Sequence, residues 1–373
     1  MPIHYLSKIN PKKLETKTAL LRADLNIEPE YKTHSLRLAA TIPTIKFLMK
    51  HKARIIIVSH RGRPTSKDRN KREYSLAPFA KILTRKLKRT VTFTSHYNPK
   101  EIRGQLKKSP AQIILLENIR FHTGEETNSA ALAQKLASLA DIYVNDAFAN
   151  CHRRHASMVA ITKHLPSYTG LLLENEIRHM DYAMKHHTRP LTVILGGAKT
   201  HTKIGIMEYF KKKADHILLG GGVANTFLKA SGIDIGTSLH DKNTNVAPLL
   251  KCKNIHLPTD WLEEKTNILD IGPETEKNYV HIIKKSKTII WNGPMGMIEN
   301  KKFAHGSLAI AKAIGAKKNT AFTLAGGGET TSMIVELKLE NTFDLLSTGG
   351  GAMLQYLSDK KLPAIEALHS SSS

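Results

Sequence analysis

Residues 191–203 read LTVILGGAKTHTK, a continuous apolar run that ends in two glycines and is followed by two lysines. A run this short and this rich in β-branched residues is typical of a strand buried on both faces in a parallel sheet. Glycines at its end let backbone N–H groups approach a phosphate closely, and the start of a helix favours negative charge. Lys199 and Lys203 would share one face of that helix. The stretch therefore predicts a strand, a phosphate-binding turn and a helix.

The same arrangement recurs along the chain, with each apolar run followed by polar residues or glycines. Helical patterns lie between the runs, for example at 129–140 and 305–316. This alternation predicts an α/β, doubly wound architecture, in which ligands bind beyond the carboxyl ends of the strands. The further runs are TALLRADLN (18–26), ARIIIVSHRGRP (53–64), QIILLENIRF (112–121), DIYVNDAF (141–148), HILLGGGVA (216–224), TIIWNGPMG (288–296), AFTLAGGGE (321–329) and LLSTGGGAM (345–353).

The length of 373 residues favours two domains. Between the two halves of the chain lies the stretch 170–186, GLLLENEIRHMDYAMKH, with Ile177, Met180 and Met184 at helical spacing. Because it contains neither glycine nor proline after Gly170, we expect a stiff helix that connects two lobes.

Several classes of protein are excluded. No apolar run approaches the ~20 residues that a membrane-spanning helix needs, and the N-terminus lacks the apolar region of a signal peptide. Cys151 and Cys252 are far apart and have no ligand spacing around them. We therefore expect neither a disulfide scaffold nor a cysteine-based zinc site, and a reducing cytoplasm is the expected location.

The chain is strongly basic, with 56 Lys and Arg against 32 Asp and Glu, a formal charge of +24. Residues 1–189 hold 34 basic and 15 acidic residues (+19), the remainder 22 and 17 (+5), and all fifteen arginines lie in the first part. Arginine binds carboxylates and phosphates with a planar fork, so the first half is suited to a small polyanion. For the runs 61–72 and 81–89 we favour solvated faces over a nucleic-acid groove, because stacking aromatic residues are sparse.

Arg and His residues also follow the strand runs of the first half, and converge on one rim if the runs form one sheet. A polyanion site explains such convergence better than a set of unrelated, solvated strand ends does. His152 and His155 are a poor metal site, because no third ligand follows at helical spacing and arginines lie beside them. In the second half, the glycine loops match neither the P-loop nor the dinucleotide fingerprint, so they predict a nucleotide site of another design.

Taken together, these motifs resemble those of the phosphoglycerate kinase family along nearly the whole chain. The matching segments are RADLN (22–26), SHRGRP (59–64), LLENIRFH (115–122), NDAF (145–148), HRRHAS (152–157), GGAKTHTK (196–203), WNGPMGMIE (291–299), GGGET (326–330) and STGGGA (347–352). The resemblance implies a bilobal hinge enzyme, with two doubly wound parallel-sheet (Rossmann-like) domains facing each other across a cleft. Its parts would be a triose-binding domain (1–172), an interdomain helix or hinge (173–188), a nucleotide-binding domain (189–354) and a segment that returns to the first domain (355–373).

The activity implied by the resemblance is that of a glycolytic kinase. The acyl-phosphate of 1,3-bisphosphoglycerate would pass reversibly to MgADP, giving 3-phosphoglycerate and MgATP, by direct in-line transfer after domain closure. The partners implied are these small molecules alone, without a membrane and with at most weak, nonspecific nucleic-acid binding, for a cytoplasmic monomer.

The resemblance also implies the site residues. The triose site would comprise Asp24, Asn26, Arg37, His60, Arg63, Arg120 and Arg153. The nucleotide site would comprise Lys199, Lys203, Glu299, Gly327, Gly328, Glu329 and Thr330. Of these, Arg37, Lys199 and Lys203 would be catalytic, Glu299 would reach the ribose, and Glu329 would meet the nucleotide-bound Mg²⁺, with Mn²⁺ as an accepted substitute.

Two features depart from the family pattern. Glu329 stands where the family usually has Asp, and Mg²⁺ demands near-ideal octahedral geometry, so we expect an altered metal preference. The segment 27–36 is short and lacks the usual proline, which affects how Arg37 is placed. Two alternatives remain: a nucleic-acid-binding protein that uses the basic surface, and an inactive homologue, which the retained Arg and Lys residues disfavour.

Overall fold

The computed structural model describes residues 3–27, 35–68, 71–107 and 112–370, and the chain forms two compact units. The first unit comprises Met1–Asn175 together with Lys361–Ser373, and the second comprises Glu176–Lys360. Most of the short segment 27–36 singled out above, residues 28–34, lies outside the described residues.

The first unit is built on a six-stranded sheet in the order β3-β4-β2-β1-β5-β6, and every neighbouring pair is parallel. Helices connect the strands, and the last helix, α13, comes from the far end of the chain. The elements are β1 (Thr18–Ala23), α1 (Leu36–Lys50), β2 (Arg54–Val58), α2 (Ala77–Leu87), β3 (Val91–Thr94), α3 (Pro99–Lys107), β4 (Ile113–Leu116), α4 (Ala130–Ala137), β5 (Ile142–Asp146), β6 (Ser167–Thr169) and α13 (Pro363–His369).

The second unit has its own six-stranded parallel sheet, in the order β14-β13-β12-β7-β8-β9, and a separate antiparallel hairpin, β10-β11. Its elements are β7 (Leu191–Leu195), α6 (Ile204–Phe210), β8 (His216–Leu219), α7 (Gly221–Ala230), α8 (Ala247–Leu250), β9 (Ile255–His256), β10 (Trp261–Glu264), β11 (Asn267–Ile271), α9 (Pro273–Lys285), β12 (Thr288–Asn292), α10 (His305–Gly315), β13 (Phe322–Gly326), α11 (Gly328–Glu336), β14 (Leu345–Ser347) and α12 (Gly351–Leu357).

The predicted α/β class with two parallel-sheet domains is confirmed, and each of the nine predicted runs contains a strand. The central strands β1, β5, β7 and β12 are buried along their whole length, as their continuous apolar sequences require. The sequence analysis missed β3, β6 and β9, which lie at sheet edges, and the two hairpin strands β10 and β11. An edge strand is half solvated, so its sequence mixes Thr, Ser, Tyr and His with apolar residues and loses the continuous pattern.

The predicted connecting helix is shorter and less regular than the sequence pattern indicates. Helix α5 runs from Leu171 to Asp181, and a π-helical turn follows over Tyr182–His186. The carboxylate of Asp146, at the end of β5, accepts the backbone N–H of Leu172 at 2.9 Å and so caps the start of the helix. The division between the two units falls inside this helix.

Two further features bear on the excluded classes. No helix among the described residues combines the length and the apolar character needed to span a membrane. Cys151 is buried and Cys252 is partly buried, and neither forms a disulfide among the described residues.

Candidate active site

In the first unit the predicted triose residues follow strands β1, β2, β4 and β5 at the carboxyl edge of the sheet, and Arg37 lies in the first turn of α1. The Arg37 Nη1 atom donates to the carbonyl oxygen of Asn26 at 2.9 Å and lies 3.4 Å from Oδ2 of Asp24. The Asn26 side chain accepts the backbone N–H of Gly62 at 2.8 Å, which joins the β1 loop to the β2 loop. The structure thus brings Asp24, Asn26 and Arg37 together.

Three arginines of this edge lie close enough to repel one another. Burial, and then the charge of Arg153, lowers the pKa of Arg120 to about 10. Burial also lowers the pKa of Arg153, and the charge of Arg63 acts in the same direction. The Arg120 guanidinium donates to the carbonyl oxygen of Gly62, and its Nε atom lies 3.5 Å from Oε1 of Glu126. A bound anion would relieve the repulsion among the three guanidinium groups.

His60 lies beside the same cluster and is buried. Burial, and then the charges of Arg22, Arg120 and Arg153, holds the pKa of the His60 imidazole well below its usual range. The imidazole is therefore neutral at physiological pH, and the site already carries its positive charge on arginines.

A buried network that sequence reasoning left unassigned supports these residues. Arg22 donates from Nε to the Ser157 hydroxyl at 2.9 Å, and that hydroxyl donates to Glu125 at 2.6 Å. Burial acts to raise the pKa of Glu125, but hydrogen bonding with His155 and the charge of Arg22 outweigh it, so the pKa is lowered. Arg22 and Ser157 belong to motifs quoted above, whereas nothing in the sequence around Glu125 marks it as their partner.

In the second unit the glycine turns after β7, β8 and β12 pack directly on one another. Gly197 donates its N–H to the Pro294 carbonyl at 2.8 Å, and Gly221 donates to the Met295 carbonyl at 2.7 Å. A Cβ atom on Gly196 would lie 2.0 Å from the Pro294 oxygen, so the close approach requires glycine. The sequence analysis treated the turn after β8 only as the end of a strand. Its run of three glycines was the signal that could have identified it as a close-packed turn.

The predicted phosphate-binding residues lie beside these turns. Lys203 is buried with its Nζ atom 3.5 Å from the Lys199 carbonyl oxygen. Burial lowers the pKa of Lys203, with the charge of Lys199 adding to the effect and the carboxylate of Glu329 opposing it. The Thr330 hydroxyl accepts the N–H of Gly293 at 3.0 Å.

The remaining nucleotide-site candidates differ in their surroundings. Gly327 adopts a φ of +101° immediately before helix α11, and a Cβ atom on Gly328 would meet no atom within 4 Å. Glu329 is exposed, as is Glu299 in the loop after β12. The charges of Lys199 and Glu329 both act on Lys203, whereas no hydrogen bond or ion pair among the described residues joins Glu299 to any of the three.

A narrow apolar groove in the same unit begins at Gly221. Its walls include Ala224, Leu228, Trp261 and Met295. In the described part of the chain, no group of three His, Cys, Asp or Glu side chains is arranged to hold a metal ion.

Comparisons with known proteins agree on one family. The family model for phosphoglycerate kinase matches residues 9–360. The phosphoglycerate kinase of Orientia tsutsugamushi (strain Ikeda) is 38% identical over 392 residues, which cover 95% of each chain. That of Moorella thermoacetica (strain ATCC 39073 / JCM 9320) is 37% identical, over 97% of this chain and 99% of the relative. Among solved structures, phosphoglycerate kinase from Coxiella burnetii superposes with a TM-score of 0.84 at 33% identity over 99% of both chains. The enzyme from Pyrococcus horikoshii OT3 gives 0.81 at 29% identity over 98% of both.

Proposed function

The chain belongs to the phosphoglycerate kinase family, and from that premise we propose which of its residues carry out the reaction. The reaction is the glycolytic kinase step, the reversible transfer of the acyl-phosphate of 1,3-bisphosphoglycerate to ADP. In the reverse direction the acceptor is the carboxyl group of 3-phosphoglycerate, which makes the enzyme an ATP:3-phospho-D-glycerate 1-phosphotransferase. The observation that carries the residue assignment is the arginine cluster at the carboxyl edge of the first sheet.

Arg63, Arg120 and Arg153 bind the phosphate and carboxylate of the triose. Burial and the charges of neighbouring arginines lower the pKa values of Arg120 and Arg153, and an anion between the guanidinium groups restores the preference for the charged form. Asp24 and Asn26 bind the substrate hydroxyl or orient Arg37, which both of them already contact. The neutral imidazole of His60 contributes a hydrogen-bond donor without adding a further positive charge.

Lys199, Lys203, Gly327, Gly328 and Thr330 bind the nucleotide phosphates at the glycine turns of the second unit. The open space above Gly328 lies at the start of helix α11, where backbone N–H groups favour a phosphate. Glu329 meets the Mg²⁺ that enters with the nucleotide, and Mn²⁺ replaces it. Glu299 binds the ribose.

An acyl-phosphate is already activated, so catalysis consists of positioning and charge neutralisation. Arg37 and Lys199 stabilise the charge on the equatorial oxygens of the transferring group, and Lys203 assists from its buried position. Removal of one such charge costs on the order of 3 kcal/mol in the transition state, a factor of ~10² or more in rate.

Closure of the two units about residues 173–188 excludes water and completes the site. The chain acts as a cytoplasmic monomer on small-molecule substrates, as the family resemblance implies.

The test is NADH oxidation that depends on 3-phosphoglycerate and MgATP, coupled through glyceraldehyde-3-phosphate dehydrogenase. We expect robust turnover in the wild type and a loss of ~10²-fold or more in Arg37→Ala and in Lys199→Ala. Lys277→Ala, an exposed residue of α9, is the matched control and should retain full activity. Absence of turnover in a folded wild-type protein would contradict the reaction, and full activity in Arg37→Ala or Lys199→Ala would contradict the assigned roles.

A further inference from the structure

The amino-terminal edge of the first sheet carries a concentration of positive charge that the kinase reaction does not use. Lys17 immediately precedes β1, Arg54 opens β2, and Arg89 lies just before β3. Because the strands are parallel, these starts lie along one edge, and the triose residues lie along the other. Strands of this length separate the two edges by roughly 13–20 Å.

Contacts and sheet order join these segments, which are distant in sequence. The backbone N–H of Arg54 donates to the Lys17 carbonyl at 2.9 Å, and the Arg54 guanidinium donates to the Thr16 carbonyl. Lys52 pairs with Glu15 at 2.9 Å. Neighbouring strands lie about 4.8 Å apart, so the three steps from β3 through β4 and β2 to β1 span about 14 Å. The cations therefore lie along one stripe at this edge, between the start of β3 and the start of β1.

We name this stripe the amino-edge face. Seven of its eight cationic residues are exposed, and Arg54 is half-buried. The members are Lys17, Lys50, Lys52, Arg54, Arg85, Lys86, Lys88 and Arg89.

Acidic residues do little to neutralise this face. Of the acids at this edge, Glu15 pairs with Lys52, and Asp141 accepts the N–H of Thr18 at 2.7 Å. Between Glu73 and Glu101 the chain contains no acidic residue. Within the described residues, none of the cations of the α2 end forms an ion pair. Uncompensated like charges at this density oppose folding, so their concentration favours a role in binding.

We propose that the amino-edge face binds the phosphodiester backbone of a nucleic-acid duplex without regard to sequence. Lysine and arginine side chains bind the phosphates of nucleic acids. These contacts supply the dominant, sequence-independent part of nucleic-acid affinity. The face presents no exposed aromatic residue for base stacking. The exposed large apolar side chains of the described chain, Ile233, Leu239 and Met297, belong to the second unit, so the face lacks an anchor for insertion into a membrane.

This proposal differs from the sequence-based preference for solvated faces in the run 81–89. In the sequence, the run 81–89 is an ordinary basic end of a helix. In the folded structure, Lys17 and the segment 50–54 lie at the same edge of the sheet as that helix end. Since the face lies at the opposite edge from the triose site, a bound duplex and the kinase substrates should not compete.

Fluorescence anisotropy tests the proposal, with labelled DNA and RNA duplexes of about 20 bp titrated at salt from ~50 to ~200 mM. The test variant combines Arg85→Ala, Lys86→Ala and Arg89→Ala, and the matched control combines Lys284→Ala, Lys285→Ala and Lys287→Ala, an equal loss of charge in the second unit. We expect the test variant to lose at least ~10-fold in affinity and ~3 from the slope of log affinity against log salt. Kinase turnover and thermal stability should stay at the wild-type level in both.

The outcomes separate cleanly. Equal affinity for the DNA and RNA duplexes would show that the protein binds the phosphodiester backbone common to both. Tighter binding of one duplex would show which nucleic acid is the preferred ligand. The same loss in the control variant, or no loss in the test variant, overturns the assignment to this face. Displacement of the duplex by saturating 3-phosphoglycerate and MgATP would show that it occupies the active site, and tighter binding to anionic vesicles at equal salt would replace the nucleic acid with a membrane.

Discussion

Arg22 donates from Nη2 to Nδ1 of His60 at 3.3 Å, and both side chains are buried. Arginine offers no acceptor, so Nδ1 must carry a lone pair and the imidazole proton must sit on Nε2. The neighbouring charges of Arg22, Arg120 and Arg153 add to burial in lowering the pKa of His60. The contact therefore fixes both the charge and the tautomer of a residue in the triose site.

We predict that His60 stays neutral, as the Nε2-protonated tautomer, at pH values where an ordinary histidine is already half protonated. Its pKa is lowered on folding, so the stability it contributes is present above the unfolded value of about 6.5 and is lost as pH falls below it. Nitrogen chemical shifts of the histidine side chains report both charge and tautomer, with His60→Gln to assign the signal. A His60 signal that titrates near 6.5 would contradict the prediction.

Two glycine substitutions should separate nucleotide binding from stability. Gly328→Ala places a methyl group in open space, so the melting temperature should stay unchanged while the KM for MgATP rises at least several-fold. Gly196→Ala forces a Cβ atom against the Pro294 carbonyl, so the melting temperature should fall. Thermal denaturation measures the melting temperatures of the two variants, and steady-state kinetics measure their KM values for MgATP. An unchanged KM in Gly328→Ala would show that the nucleotide does not approach this position.

Glu329→Asp should change the metal preference of the kinase. Shortening the side chain by one methylene alters the reach of the carboxylate toward the nucleotide-bound ion, and Mg²⁺ is less tolerant of geometry than Mn²⁺. We expect the ratio of turnover with Mg²⁺ to turnover with Mn²⁺ to rise in the variant. The coupled assay with each metal measures it, and an unchanged ratio would remove Glu329 from the metal site.

The buried carboxyl of Asp146 makes stability depend on pH. Burial raises its pKa to about 7, although hydrogen bonds from Thr44, Leu173 and Leu172 oppose the shift. A raised pKa contributes stability that is complete below the unfolded value of about 3.8 and is lost as pH rises through about 7. The loss of unfolding free energy between about pH 5.5 and about pH 8 should therefore be smaller in Asp146→Asn than in the wild type. Urea denaturation followed by far-UV circular dichroism measures this, and equal pH slopes would contradict it.

Substrate binding should make the molecule more compact. If the two units close about residues 173–188, small-angle scattering should show a smaller radius of gyration with 3-phosphoglycerate and a non-hydrolysable MgATP analogue together than with either alone. A radius that does not change with both ligands bound would count against closure.

The sequence predicted what depends on local pattern and left out what depends on partners far along the chain. Continuous apolar runs identify the buried central strands, and glycines identify the turns that must approach other backbone closely. The edge strand β6 is only three residues long and contains no aliphatic residue, so its sequence produces no apolar pattern. The pairing of Arg22 with Ser157 and Glu125 was not predictable, because it depends on three-dimensional proximity across more than a hundred residues.

Helix α13 packs in the first unit, where Ala364 donates its N–H to the carbonyl of Cys151 at 3.1 Å, although the whole second unit lies between them in the chain. During synthesis, the ribosome must therefore deliver all of the second unit before the first can acquire this helix. The unit whose sequence emerges first is therefore completed only after the other unit has been synthesised in full.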